Sequence, residues 1–331
     1  MNDEKFSIRE IARLANTSVA TVSRVINGNG RFSKETERRV RDVIDRYDYR
    51  PNLLAKSLRE DRVKAIGVIV SDVTSDYFGG IVQQIERDLF RRGYTAILFD
   101  TFENEEAEKR ALGILGRLRF SGIIYVGGKR TKTMMEDLPI IYVDRKPPPE
   151  AMERGSCFIG SDNFSGGRLA GDRLLDAGRR APAIVLYEDD LETQKQRLLG
   201  FQSALAAHGL AFDPRSVFHV DHVTYDGGRQ VTRQILRSGI RFDSIFYTSD
   251  IIAIGGVQYL NEVHVAVPGD IALLGMDDIP ASEHITPALT TVRQQYRRFG
   301  ALAADSIIRM LDGEPVEDQV LDVQLIERAT V

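Results

Sequence analysis

The sequence predicts an α/β protein that begins with a small all-α domain, and three observations carry this. From residue 63 onward, short runs rich in Val and Ile recur with helix-length amphipathic segments between them, the pattern of buried parallel strands and crossover helices. The first 50 residues instead show short helical periodicities opened by Ser and closed by Asn or Gly. Charge divides the same way: residues 1–62 hold 14 Lys and Arg against 10 Asp and Glu, a net +4, and since the whole chain holds 44 against 48, the remainder carries −8. A basic head before an acidic body points to a polyanionic partner for the head.

Length and composition bound the rest. A chain of 331 residues exceeds one ordinary core and divides into two or three domains. Its 43% apolar and 28% charged residues are typical of a globular protein, and no run of about 18 apolar residues is present to cross a bilayer. The start, MNDEKFSIRE, is charged from its third residue and lacks a signal-peptide pattern, so a cytoplasmic location is expected. The single cysteine, Cys157, cannot form an internal disulfide and reads as a small buried hydrophobe in a reducing compartment.

In the head, Ser7 precedes an apolar-periodic run (Ile8, Ile11, Ala12, Leu14, Ala15) and Glu10 stands three positions on, so a capping box opens a first helix over about 8–15. Asn16 tolerates positive φ and takes the left-handed turn position where Gly is usual. Thr17 or Ser18 caps a second helix that stops at Asn27-Gly28, and Ser33 caps a third running to about Tyr47, with Val40, Val43, Ile44 and Tyr47 at helical spacing. Two short helices across a tight turn, with a third closing the core, make a helix-turn-helix unit whose second helix fits a major groove. Val22, Val25 and Ile26 are expected inside, whereas Val19, Ala20, Thr21 and Ser23 face out and are short enough for the backbone to approach base edges. Val19 and Ala20 methyls suit thymine, Ser18 and Thr21 suit bases or phosphates, and Arg24 and Asn27 reach the backbone or a guanine. The same spacing also fits a small bundle used for protein contacts.

The run IREIARLANTSVATVSRVING, followed by YRPNLLAKSLR and then AIGVIV, resembles the start of a lac/galactose repressor family transcription factor, and the pattern continues through nearly the whole chain. Val19-Ala20 is similar to the galactose-repressor form of the recognition helix, and Asn16 departs from the usual glycine. The resemblance implies that Pro51–Arg59 folds as a hinge helix on operator DNA, with Leu58 from each of two subunits wedged into the central minor groove. Asn52 and Lys56 are counted with it as DNA-binding. An exposed Leu flanked by Lys56 and Arg59 can pry open a base step while the cations hold phosphates. On the residues alone, a linker whose Leu packs on the body is the alternative.

The body's strand-like runs are AIGVIVSD, TAILFD, SGIIYV, IIYVD, FIGSD, AIVLYE, SIFYTSD and IALLGMDD. Many end in Ser or Asp, and in open parallel sheets the strand carboxyl ends form the ligand crevice; Asp144, ending IIYVD, is one such candidate contact. Nothing looks catalytic, because no P-loop, G-x-S-x-G or dense metal-ligand set is present. His219 and His222 lack a clear third ligand, so no metal or cofactor is expected. The glycine cluster from Gly166 to Gly171 reads as close helix–sheet packing rather than a dinucleotide fingerprint.

What remains suits a sugar or similar polyol, for which an aromatic face, a bidentate Arg and acids are common. The resemblance places Tyr77 and Phe78 at the first strand's mouth, makes Arg197 the effector-gripping arginine and Asp277 a ligand-binding acid. Ser249 stands where many relatives have Asn, and His222 where they usually show an aromatic; both are departures within the candidate site. The body then resembles a periplasmic sugar-binding fold with doubly wound parallel sheets. The expected organisation is a DNA-binding domain over 1–50, a hinge over 51–62, and a body over 63–331 divided into sub-domains 63–161 with 291–320 and 162–290 with 321–331. The implied function is a non-enzymatic repressor of carbohydrate-use genes, a homodimer on pseudo-palindromic operator DNA that answers to a sugar or sugar phosphate. A cytosolic solute-binding protein and a sugar-modifying enzyme on the same body fold are the alternatives.

Overall fold

The computed structural model describes residues 6–49, 63–127, 138–147, 152, 155–187 and 191–331. The chain separates into two compact units, Met1–Val63 and Lys64–Val331.

The first unit holds α1 (Ile8–Leu14), α2 (Val19–Asn27) and α3 (Lys34–Arg46). Local side-chain chemistry starts and stops each. The Ser7 N–H donates to Glu10 Oε2 at 2.6 Å while the Glu10 N–H donates to Ser7 Oγ at 3.4 Å, closing the capping box. Asn16 takes the turn at φ 48°, Ser18 Oγ accepts from the Thr21 N–H at 3.1 Å, and Gly28 ends α2 at φ 67°. Ser33 repeats the cap with Thr36. Ile11, Ala12, Ala15, Val22, Val25 and Val40 form the core. Two details differ from the sequence reading. Val19 packs partly against this core instead of facing fully outward. Tyr49 is the buried tyrosine, whereas Tyr47 caps α3 half-buried, with its ring 4.7 Å from Phe6.

The second unit is built on two six-stranded sheets. The first comprises β1 (Val63–Val70), β2 (Thr95–Asp100), β3 (Phe120–Val126), β4 (Ile140–Val143), β5 (Cys157–Ser161) and, far along the chain, β11 (Gln319–Leu321), in the order β11-β5-β4-β3-β1-β2. The second comprises β6 (Pro182–Leu186), β7 (Val217–His219), β8 (Ser244–Tyr247), β9 (Ala272–Asp277), β10 (Thr290–Arg293) and β12 (Gln324–Ile326), in the order β12-β10-β9-β8-β6-β7. β12 runs antiparallel to β10, while β1 with β2, β3 with β4, β4 with β5, β5 with β11, and β6, β7, β8, β9 and β10 among themselves pair parallel. Every residue of β3, β4, β5, β6, β8 and β9 is buried, which is why these strands read as continuous apolar runs. The sequence does not announce β7, β10, β11 and β12: β7, β11 and β12 are three residues each and partly exposed, and β10 is Thr-Thr-Val-Arg, so none forms a buried apolar run.

Around the sheets lie α4 (Asp76–Arg91), α5 (Glu105–Arg117), α6 (Asn163–Asp176), α7 (Glu192–Ala207), α8 (Tyr225–Arg237), α9 (Asp250–Glu262), α10 (Pro280–His284) and α11 (Tyr296–Leu311). The chain passes from the first sheet to the second after β5, returns after β10 through α11, and crosses again between β11 and β12. The glycine cluster serves helix on helix more than helix on sheet, a correction to the sequence reading. A Cβ at Gly167 would overlap the Arg197 carbonyl oxygen, one at Gly200 the Phe164 carbonyl oxygen, and one at Gly171 would meet Ala204 Cβ at 2.6 Å. Gly166 faces the sheet at Met276. Backbone contact between α6 and α7 therefore requires residues without side chains on both helices. Cys157 is buried, its Sγ donates to the Glu317 carbonyl at 3.0 Å, and burial pushes the thiol up to about 11.

Candidate functional site

The head's candidate surface is the outer side of α2. Ala20 and Arg24 are exposed, Thr21 and Ser23 half-exposed, and Val19 is partly drawn into the core. The Ser18 and Thr21 hydroxyls lie 2.9 Å apart, so each already has one partner within the helix cap and retains a lone pair or proton for another. Arg24 lies along the loop beyond its own helix: an added Cβ on Gly30, at φ 102°, would meet Arg24 Cδ at 3.1 Å. A side chain on Gly30 would displace the arginine. The Asn27 side chain, Asn52, Lys56 and Leu58 fall outside the described residues.

In the body, a cleft of about 620 Å³ is lined at the carboxyl ends of strands from both sheets. Ser71 and Asp72 follow β1, Asp144 and Arg145 follow β4, Tyr187 follows β6, His222 follows β7, Thr248 and Ser249 follow β8, Asp277 ends β9 and Gln294 follows β10. This is where an open parallel sheet presents its loop groups to a ligand.

All the body residues singled out from the sequence line this cleft: Tyr77, Phe78, Asp144, Arg197, His222, Ser249 and Asp277. Tyr77 is buried in the first turn of α4 and its hydroxyl donates to Asp144 Oδ1 at 2.7 Å. Burial, with the Asp144 charge adding to it, holds the Tyr77 phenol well above its ordinary value, so it remains a neutral donor. Phe78 fits because Gly127, at φ 68°, has no Cβ to occupy its ring position. Arg197 is buried on α7; its Nε donates to Asn163 Oδ1 at 2.8 Å and its Nη1 to the Thr248 carbonyl at 2.7 Å. Among the described residues its Nη2 makes no hydrogen bond.

Asp277 is buried and accepts from Ser249 Oγ at 3.0 Å and Gln294 Nε2 at 2.7 Å. Burial first, then the Asp250 carboxylate, pushes its carboxyl up to about 8, against the opposing pull of Arg197 and its two donors. Burial and the neighbouring carboxylate thus both favour the protonated acid at Asp277. Asp250, its sequence neighbour to Ser249, does a different job: it takes hydrogen bonds from Ser282, Thr291 and the Ile279 N–H and braces the strand ends. His222 is exposed on the rim beside His219, and among the described residues no group of three or more metal-ligating side chains exists.

Sequence reasoning missed Ser71, Glu103, Arg145, Tyr187 and Gln294. Arg145 follows Asp144 directly, so a charged pair after an apolar run was its one signal; Gln294 carried none. Backbone strain marks the same place. Of the nine non-glycine residues with positive φ among the described residues, four line the cleft: Phe102 (49°), Glu103 (55°), Asp144 (73°) and Asp277 (130°), and such outliers are enriched at ligand sites.

A helix-turn-helix head and a two-sheet body with a polar cleft at its strand ends together define a DNA-binding regulator with a solute-binding-protein-like body. Residues 7–52 match the bacterial regulatory proteins of the lacI family, and residues 172–331 match a periplasmic binding protein-like domain. The chain is 30% identical over 333 residues to the HTH-type transcriptional repressor PurR of Pasteurella multocida, covering 98% of each chain. It is 29% identical over 332 residues to the ribose operon repressor of Escherichia coli K12, covering 98% of this chain and 99% of that one. Among solved structures, the transcriptional regulator CelR in complex with cellobiose is 27% identical, with a TM-score of 0.71 over 98% of this chain and 100% of that one. The chain belongs to the lac repressor family of bacterial transcriptional regulators. No described helix is long and apolar enough to cross a membrane.

Proposed function

We propose that this regulator is a cytoplasmic repressor of carbohydrate-use genes, binding a pseudo-palindromic operator as a homodimer and changing its operator affinity when a sugar-like effector occupies the body cleft. The observation that carries the effector reading is Arg197, a buried arginine whose Nε and Nη1 are tied to the protein while Nη2 has no partner among the described residues of the cleft it lines. Tyr77, Phe78, Asp144, Ser249, His222 and Asp277 complete the proposed site. The relatives named after ribose and the cellobiose complex support a sugar. Residues Ser18, Val19, Ala20, Thr21, Ser23, Arg24 and Asn27 are the proposed base and phosphate contacts, with Asn52, Lys56 and Leu58 joining them from the hinge. A ligand acts only through different affinities for two states of the body.

The test is fluorescence anisotropy on a palindromic operator with a central CG step, repeated over mono- and disaccharides and purines. A tenfold shift by one compound corresponds to about 1.4 kcal/mol of coupling and gives both effector and sign. Leu58→Ala should weaken operator binding far more than nonspecific DNA binding; equal loss on both would remove the wedge.

A further inference from the structure

The cleft holds a second buried arginine that the sugar reading does not use. Arg145 is 8% exposed, and its guanidinium carbon lies 5.9 Å from the ring centres of both Phe78 and Tyr187. Its Nη2 donates to Glu103 Oε1 at 2.9 Å, while Nε and Nη1 are buried with no hydrogen-bond partner among the described residues. A guanidinium edge presents two parallel donors and pairs best with two coplanar oxygens of a carboxylate or phosphate. Glu103 satisfies only one donor.

The partner that Arg145 does have is exposed. The buried charged side chains on the cleft are Asp144, Arg145, Arg197 and Asp277, and Arg145 alone among them is paired with a group at the surface, Glu103, whose side chain is 41% exposed. Glu103 sits with Phe102 on consecutive left-handed residues, φ 55° and 49°, a conformation that costs non-glycine residues free energy. A half-exposed carboxylate on a strained loop is readily displaced by a ligand that reaches the same guanidinium. Ser71 Oγ and Gln294 Oε1, also on the cleft and also buried without a partner among the described residues, suit hydroxyl groups.

We infer that the effector is a polyol bearing one anionic group, a carboxylate or a phosphate, which takes the place of Glu103 on Arg145. Arg145 is then a specificity-determining residue that separates sugar acids or sugar phosphates from their neutral parents. The inference rests on the cleft being the effector site.

The full-length protein should be screened by thermal shift with matched probes at about 10 mM: glucose, gluconate, glucuronate and glucose 6-phosphate, with the corresponding ribose and ribose 5-phosphate pair. At least one anionic member should raise Tm more than its neutral parent, and the carboxylate and phosphate arms show which anion is read. Arg145→Gln should weaken that binding about tenfold or more, with Arg145→Lys recovering part of it. Glu103→Gln should tighten it several-fold by removing the internal competitor, and it covers the case in which Arg145→Gln does not fold. The inference is overturned if no anionic probe raises Tm, if a neutral sugar binds better than its acid and its phosphate, or if Glu103→Gln weakens the anion. A neutral sugar that shifts operator affinity without any such preference would overturn the inference and leave the regulator reading standing.

Discussion

The helix-turn-helix keeps its candidate DNA contacts within one helix and its cap, from Ser18 to Asn27, whereas the body's cleft gathers side chains from Ser71 to Gln294. In the head the Ser18 and Thr21 hydroxyls place each other across three residues. In the cleft the partners are remote: Tyr77 meets Asp144, Arg197 meets Thr248, and Ser249 meets Asp277. A locally placed group tolerates change elsewhere. A group placed by packing inherits every error in the scaffold.

The sharpest challenge to this contrast is Arg197→Ala. It removes the donors to Asn163 and the Thr248 carbonyl and deprives the ligand of a charge-assisted bond, so effector affinity should fall by about 100-fold or more. Titrating effector against the protein–operator complex checks it, and an unchanged response would put the pocket elsewhere. Next in size is Gly200→Ala, far from any ligand atom in sequence yet in backbone contact with Phe164. Separating α6 from α7 should cost about 2–3 kcal/mol and lower the body's Tm by roughly 5–10 °C. If Tm holds and effector binding is untouched, the cleft does not depend on that helix contact.

Ser18→Ala sharpens the other side. It should cost the head about 1 kcal/mol through the lost cap, seen as weaker operator binding with effector affinity unchanged. A further effect is electrostatic. The folded Asp277 carboxyl titrates at about 8, against an ordinary 3.8. Between these values the folded state holds a proton that the unfolded state has lost, so this group's contribution is fully present below the ordinary value and fades as pH rises through about 8. Asp277→Asn cannot ionise, so its Tm should gain on the unaltered protein from about pH 5 to about pH 8.5, whatever fixed offset the substitution brings. A constant difference across that range would mean Asp277 is ionised in the fold.

The two regions also differed in what could be read before folding. The capping box, the Asn16 turn and the stop at Gly28 were all legible, because capping couples residues three or four apart and so is written in order along the chain. The partial burial of Val19 was not, since its position at the first turn of α2 faces both groove and core. The fully buried strands, down to the four residues of β4 and β8, were legible because full burial demands apolar runs. Arg197 and Asp277 were placed by resemblance, and they do line the cleft. Arg145, Glu103 and Gln294 were not found, because a surface arginine and a buried one have the same letter, and what distinguishes them is the pair of rings and the single carboxylate brought around Arg145 by distant strands.

Chain order alone thus settles the helix caps, the strand runs and the separation into a basic head and an acidic body. Packing decides the rest: which glycines let α6 and α7 touch, which acid is buried until it holds its proton, and which arginine is left with donors to spare. The reason is range. Capping and periodicity act over a few residues, while burial and charge pairing depend on neighbours that only the folded chain brings together.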